Sequence, residues 1–234
     1  MQTIILLGPP GAGKTTISAQ LIQETGMAVI ATGQRLRAEV HAQSSIGKQI
    51  AQLLEQGQFV PDTLMADLLR LWLRDISPAQ ACLLDGYPRT INQAKMLDTI
   101  LAELGRQLNA VIVLDLSAET IIHRLSGRRV CRTPDGDDIV LHIDDTTAVA
   151  DCLARGGVLL QRDDDRPDVI RARLHLYEYE TTPVLHFYTM RNLVHYIDAE
   201  QPPATITRAI LAILQQLPPH QPQPAMTPKT TMLQ

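Results

Sequence analysis

Near-continuous apolar runs alternate along this chain with stretches whose apolar residues recur at helical spacing. Thr3-Ile4-Ile5-Leu6-Leu7 reads as a buried strand that stops at a glycine-rich turn, after which Ile17, Leu21 and Ile22 fall on one helix face. Met27 to Ala31 is a short second strand. Residues 34 to 56 read as two short helices, divided by Ser44-Ser45 and stopped by Gly57. Pro61-Asp62 opens a helix over Thr63 to Asp75, with Leu64, Leu68, Leu71 and Trp72 on one face. The strand Ala81-Cys82-Leu83-Leu84 ends in Asp85-Gly86-Tyr87-Pro88-Arg89-Thr90 and is followed by a helix from Asn92 to about Gly105. The most apolar strand is Ala110 to Leu116, and Ser117 is the expected N-cap of a helix from Glu119 to Leu125.

Residues 127 to 163 break this rhythm. They are short of helical periodicity and rich in Asp, Gly, Arg and Thr, with β-like pieces at 139 to 141 and 158 to 160, so they read as an inserted subdomain. Helical spacing resumes at Asp168 (Val169, Arg173, Leu174, Leu176), then come a last strand, Leu193 to Ile197, and an amphipathic helix carrying Ile206, Ile210, Ile213, Leu214 and Leu217. From Pro218 to Gln234 Pro, Gln and Thr dominate without a period, which predicts a disordered tail. Strands that are apolar throughout, alternating with helices, predict an α/β fold: a parallel sheet covered on both faces. Ligands of such sheets lie at the carboxyl ends of the strands, so Gly8, Asp85 and Asp115 should share one edge.

The length of 234 residues suits one large domain or a domain with insertions. A net charge of −4 gives no basic bias toward nucleic acid, so no nucleic-acid partner is expected. No apolar run approaches the roughly 18 residues of a membrane span, and the N-terminus lacks the pattern of a signal peptide. Cys82, Cys131 and Cys152 are odd in number and widely spaced, which suits a reducing, cytoplasmic setting in which they act as small apolar residues.

The chemistry begins at Gly8-Pro9-Pro10-Gly11-Ala12-Gly13-Lys14-Thr15-Thr16, where G-x-x-x-x-G-K-[ST] lies between a strand and a helix. Glycines there turn successive N–H groups into one concavity that accepts phosphate oxygens, and the helix N-terminus behind it favours negative charge. Lys14 supplies a cation for the outer phosphates, and the Thr15 and Thr16 hydroxyls and the Asp85 carboxylate are candidate Mg2+ ligands, directly or through water. Asp85 would otherwise cap the turn after it. The Asp85 to Thr90 segment, with Gln93 beyond it, reads as a second phosphate-plus-base site. Gly86 permits close approach, Arg89 forks onto a phosphate, and the Gln93 amide suits an adenine edge. Thr32 and Arg37 follow the second strand. Arg124 and Arg128 share a face if their helix runs that far, and two such cations repel unless an anion lies between them or each is paired separately with aspartates. Arg162 precedes Asp163-Asp164-Asp165, which could pair with it, and Arg173 lies on the next helix.

Taken together, GPPGAGKTT, ATGQRLR, GQFVPD, LLDGYPRTINQA, HRLSGRRV and QRDDDRPDVIRARL resemble the adenylate kinase family in its long-lid form, over residues 1 to about 215. The resemblance implies a three-layer P-loop NTPase fold with a five-stranded parallel sheet. Within a domain of residues 1–217, a nucleoside-monophosphate-binding part would span 31–60 and a lid over ATP 127–164. It implies the reaction ATP + AMP ⇌ 2 ADP with Mg2+, in a chain expected to be monomeric. Gly11, Ala12, Gly13, Lys14, Thr15 and Thr16 match the ATP phosphate loop, Arg124 and Arg128 the ATP-side arginines, and Gln201 the contact to the ATP adenine. Thr32, Arg37, Gln58, Phe59, Val60, Gly86, Tyr87, Pro88, Arg89 and Gln93 match the AMP site, and Arg162 and Arg173 clamp the transferring phosphates.

Three positions depart from the family pattern. Lys14-Thr15-Thr16 replaces Lys-Gly-Thr, and Gln34 stands where the family has Asp. In the lid, Cys131-x-x-Pro134 and Cys152-x-x-Arg155 stand where zinc-bearing members have two cysteine pairs, so no structural zinc is expected. A kinase of another nucleoside monophosphate and a nucleotide-binding regulatory protein without turnover are the competing readings.

Overall fold

In a computed structural model the described residues are 2–136 and 138–217, so the tail expected from Pro218 onward lies outside them. The chain runs β1 (Gln2–Leu7), α1 (Lys14–Thr25), β2 (Ala28–Ala31), α2 (Thr32–His41), α3 (Ser45–Glu55), α4 (Asp62–Arg74), β3 (Cys82–Asp85), α5 (Ile91–Glu103) and β4 (Gln107–Asp115). It continues with α6 (Ala118–Gly127), β5 (Arg128–Arg132), β6 (Asp138–His142), α7 (Thr146–Ala154), β7 (Val158–Leu160) and a 3-10 turn at Asp163–Asp165. The last part holds α8 (Pro167–Leu176), a π-helical turn at Tyr177–Thr181, α9 (Thr182–Thr189), β8 (Val194–Asp198) and α10 (Pro203–Gln216).

Five strands pair in parallel in the order β2-β3-β1-β4-β8. Their continuous apolar character follows from two-sided burial. Side chains of successive strand residues point to opposite faces. Ile4, Leu6, Leu83, Ile112 and Leu114 therefore meet Ile17 and Leu21 of α1 and Ile206 and Ile210 of α10. Ile5, Leu7, Leu84, Val111 and Val113 meet the opposite layer, with Leu69 and Leu73 of α4, Leu97 and Ile100 of α5, and Tyr188 of α9. Each such side chain, fully withdrawn from water, contributes about 1.5–3 kcal/mol. Ser117, Thr90 and Ser44 cap α6, α5 and α3 by accepting the N–H of Thr120, Gln93 and Gly47.

The insertion is an antiparallel three-stranded sheet, β6-β5-β7, with α7 against it. α7 was not expected, because Thr146 to Ala154 is too short to set up a clear period. α9 and the π turn before it were missed as well. α6 ends at Gly127 and Arg128 opens β5, so Arg124 and Arg128 do not share a helix face as the spacing suggested.

The cysteines need a larger correction. Cys131 on β5 and Cys152 on α7 form a disulfide with Cα atoms 6.0 Å apart, and only Cys82 is free. They are not independent apolar residues, and the odd count no longer argues for a reducing setting. They lie 21 positions apart in sequence, and the folding of α7 back onto β5 brings them together. Among the described residues no helix is long and apolar enough to cross a membrane.

Candidate active site

The carboxyl ends of the strands carry the site. β1 pairs with β3 in the register Leu6 with Asp85, and the Gly86 N–H donates to Leu6 O at 3.2 Å. The Asp85 carboxylate therefore stands beside the loop that follows β1. In that loop the Ala12 N–H closes a turn on Pro9 O, and Lys14 begins α1. Gly8 admits the loop: with φ of 154°, an added Cβ would lie 2.8 Å from Leu114 O. The first N–H groups of α1 have no intrahelical acceptors, so the helix start offers free donors at the cleft.

A cleft of about 440 Å³ opens over this edge. Gly11, Ala12, Gly13, Lys14, Thr15 and Thr16 line one side, and Arg37, Asp85, Gly86 and Arg89 the other. Arg124, Arg128, Arg162 and Arg173 line it as well, so all six cations expected to surround the transferred group meet in one cavity. Asp138 and Val140 of β6 face the same space.

Charge in this cavity is poorly balanced. Lys14 Nζ donates to Gly8 O at 2.7 Å and Pro9 O at 2.8 Å. Burial pushes its pKa down to about 7, against the pull of Asp85 and with Arg89, Arg173 and Arg128 adding to the fall. Burial likewise lowers Arg89 and Arg37, each to about 10, and lowers Arg162 and Arg173. Burial raises the Asp85 carboxyl, against Lys14, Arg89 and the Ser18 hydroxyl that donates to it at 3.3 Å. The guanidiniums of Arg37 and Arg162 make no hydrogen bond or ion pair among the described residues, so they await an acceptor.

Two arginines already hold anions. Arg128 forks onto Asp165 with bonds of 2.7 and 2.5 Å, and Arg173 binds Asp164 at 2.9 Å. The sequence put these aspartates beside Arg162 as its possible partners. The 3-10 turn instead points them at Arg128 and Arg173.

The second pocket lies between α2, the Gln58-Phe59-Val60 segment and the turn after β3. Thr32, Arg37, Gln58, Phe59, Val60, Gly86, Tyr87, Arg89 and Gln93 all line it, over an apolar floor of Leu36, Leu54 and Met65. Thr32 Oγ1 donates to Asp85 O at 3.0 Å, and Arg89 stacks 5.3 Å over the Phe59 ring. Half of the Gln93 amide's hydrogen-bonding capacity is committed within the protein. Its Oε1 accepts the Arg89 N–H and its Nε2 donates to Asp62 Oδ1, both at 2.8 Å. One N–H and one lone pair of the amide remain for a base edge.

Two expected residues are not brought to either pocket. Pro88 is buried in the turn, and Gln201 is exposed, donating to Asp198 at 2.9 Å. Others were missed. Asp62 collects Thr90, Asn92 and Gln93, although its only sequence signal was a helix start. Thr181, in the unexpected π turn, donates to Arg89 O at 3.0 Å and lines the main cleft with Tyr177.

The family model described as Adenylate kinase matches residues 6–193. An adenylate kinase of Methanocella arvoryzae is 38% identical over 213 residues, covering 91% of this chain and 98% of that protein. One from Symbiobacterium thermophilum is 39% identical over 207 residues, covering 88% and 95%. One from Kosmotoga olearia is 37% identical over 216 residues, covering 92% and 99%.

Proposed function

The chain belongs to the adenylate kinase family, and we infer from that membership that it transfers a phosphoryl group reversibly, ATP + AMP ⇌ 2 ADP. The observation that supports this reading best is the convergence of six cations on one cleft flanked by two anion-binding turns. A protein that only bound a nucleotide would not need cations on both sides of the junction.

The nucleophile is a phosphate oxygen of AMP, anionic at neutral pH, so no side chain is assigned as general base. The residues align the two phosphates and neutralise charge that develops between them. Lys14 and the loop N–H groups take the ATP phosphates, with Arg124 and Arg128 on the same side. Arg37 and Arg89 take the AMP phosphate, with Thr32 beside them. Arg162 and Arg173 stand between. Each donor is worth more once water is excluded, and closure also keeps water from accepting the phosphoryl group.

Oxygen donors at Thr15, Thr16 and the Asp85 carboxylate fit Mg2+, since Asp85 faces the loop and spends only one weak hydrogen bond on Ser18. When bound, Mg2+ supplies positive charge to the β- and γ-phosphate oxygens. Residues 31–60 and 127–164 are assigned as the monophosphate-binding part and the lid. Every residue named comes from one chain, so the reading asks for no second copy.

A coupled assay of ADP formation with AMP, CMP, UMP and GMP as acceptors tests this. Turnover with AMP at least about tenfold above the others is the expected result, a difference of about 1.4 kcal/mol in transition-state binding. No ADP from any acceptor would overturn the reaction, and preference for another base would overturn the substrate.

A further inference from the structure

Where α6 meets the lid sheet, a side-chain cluster stands outside the phosphotransfer site. His123 on α6, His142 at the end of β6 and Asp144 in the turn after it each offer one ligand-type atom, and these atoms lie within 4.8 Å of one another. His123 Nε2 is 3.3 Å from Asp144 Oδ2, and His142 Nδ1 is 3.4 Å from the same oxygen. A tetrahedral ion with bonds of about 2.0–2.1 Å holds its ligand atoms roughly 3.4 Å apart. Two of the three edges therefore already have ligation spacing.

The rings are also oriented. The imidazoles stack with centroids 4.8 Å apart and planes 21° from parallel. His142 Nε2 faces His123 O at 3.2 Å, and the Asp144 N–H donates to His142 Nδ1 at 3.2 Å. Those two bonds together fit the tautomer with its proton on Nε2, whose Nδ1 lone pair accepts the Asp144 N–H. An imidazole whose far N–H is held by a carbonyl is the usual arrangement of a metal ligand. The ring occupies space that only glycine leaves, since a Cβ on Gly127 would overlap it.

We propose that His123, His142 and Asp144 form a site for a divalent first-row transition cation that clips the lid to α6. Two imidazoles and a carboxylate suit Zn2+, Ni2+ or Cu2+, with water in the fourth position, and suit Mg2+ poorly. On binding, the ion replaces the Asp144 N–H at Nδ1. The site is separate from Cys131 and Cys152, whose sulfurs are bonded to each other. Because the ligands straddle the joint between Arg124 and Arg128, a bound ion fixes the angle at which the lid leaves the core. Slowed turnover rests on the phosphotransfer reading; the binding does not.

The test is calorimetric titration of the full-length oxidised chain with ZnCl2, and with CoCl2 followed by its visible absorption. One ion per chain is expected, with affinity falling at least about tenfold in His123→Ala and in Asp144→Asn, as loss of a ligand should cause. Both side chains are exposed, so the circular dichroism and melting temperature of these variants should match the parent. With Mg–nucleotide saturating, Zn2+ should slow the parent at least about threefold by hindering lid opening, and leave His123→Ala unaffected. No saturable binding, equal binding in both variants, or binding that disappears only when Cys131 and Cys152 are replaced by serine would overturn the site. Parent turnover indifferent to bound Zn2+ would overturn the clip.

Discussion

Lys14 is held against two loop carbonyls and surrounded by arginines, and the outcome is a pKa of about 7 instead of 10.5. The folded protein gives up this proton near pH 7 and the unfolded chain near 10.5. Its contribution to stability therefore rises as pH climbs through that window and is least below it. A polyphosphate reverses the imbalance by favouring the ammonium form. At pH 8 ATP binding should take up close to one proton through Lys14, and Asp85 is the other titrating group in reach. Calorimetry in two buffers of different ionisation enthalpy measures the uptake, and Lys14→Met should abolish it. Arg89 serves a different purpose. Arg89→Ala should lower kcat by about a hundredfold or more, the usual effect of losing a transition-state donor. Near-parent turnover, with the fold intact by circular dichroism, would contradict its role.

Between elements, the contacts that matter are close ones. Gly57, just after α3, has φ of 69°, and an added Cβ would lie 2.6 Å from Arg173 Cγ and 3.0 Å from Val169 Cγ1. Gly57→Ala should destabilise by at least about 1 kcal/mol and displace Arg173 from the cleft. A denaturant titration and the KM for AMP would show both effects. Between β5 and α7, the disulfide closes a loop with a sequence separation of 21, worth about 3 kcal/mol in the chain-entropy account. Cys131→Ser should loosen the lid selectively, read as faster hydrogen exchange in β5 and α7 with the main sheet unchanged.

These cases also mark how far the sequence could be read. The strands, most helices, the phosphate loop and the arginines were legible because each rests on a local signal: an apolar run, a cap, a glycine turn, a cation in a motif. Asp62, the Asp165 fork, Thr181 and the disulfide were not, since each depends on which distant segment packs beside it. Gln201, a position carried over from a resemblance, lines neither pocket, and its side chain donates to Asp198.

Across the whole molecule, the inserted sheet and α2 line the same cleft. Asp138 of β6 senses the charge of His41 at the end of α2, and the 3-10 turn packs against α3. A cleft with so many cations facing inward is best stabilised by one ligand that spans both pockets. Two adenosines joined by five phosphates should raise the melting temperature, adding about 4 kcal/mol at a thousand times its Kd. Lys14→Met and Arg89→Ala should each lose most of that gain in a thermal-shift measurement.

The paired aspartates give this balance one more consequence. With Asp165 seated in the Arg128 fork and Asp164 on Arg173, two of the arginines that line the cleft already have a carboxylate partner. An arriving nucleotide competes with a carboxylate at these two arginines, whereas Arg37 and Arg162 make no hydrogen bond or ion pair among the described residues. Its grip on the first pair is only the margin by which a phosphate outcompetes a carboxylate.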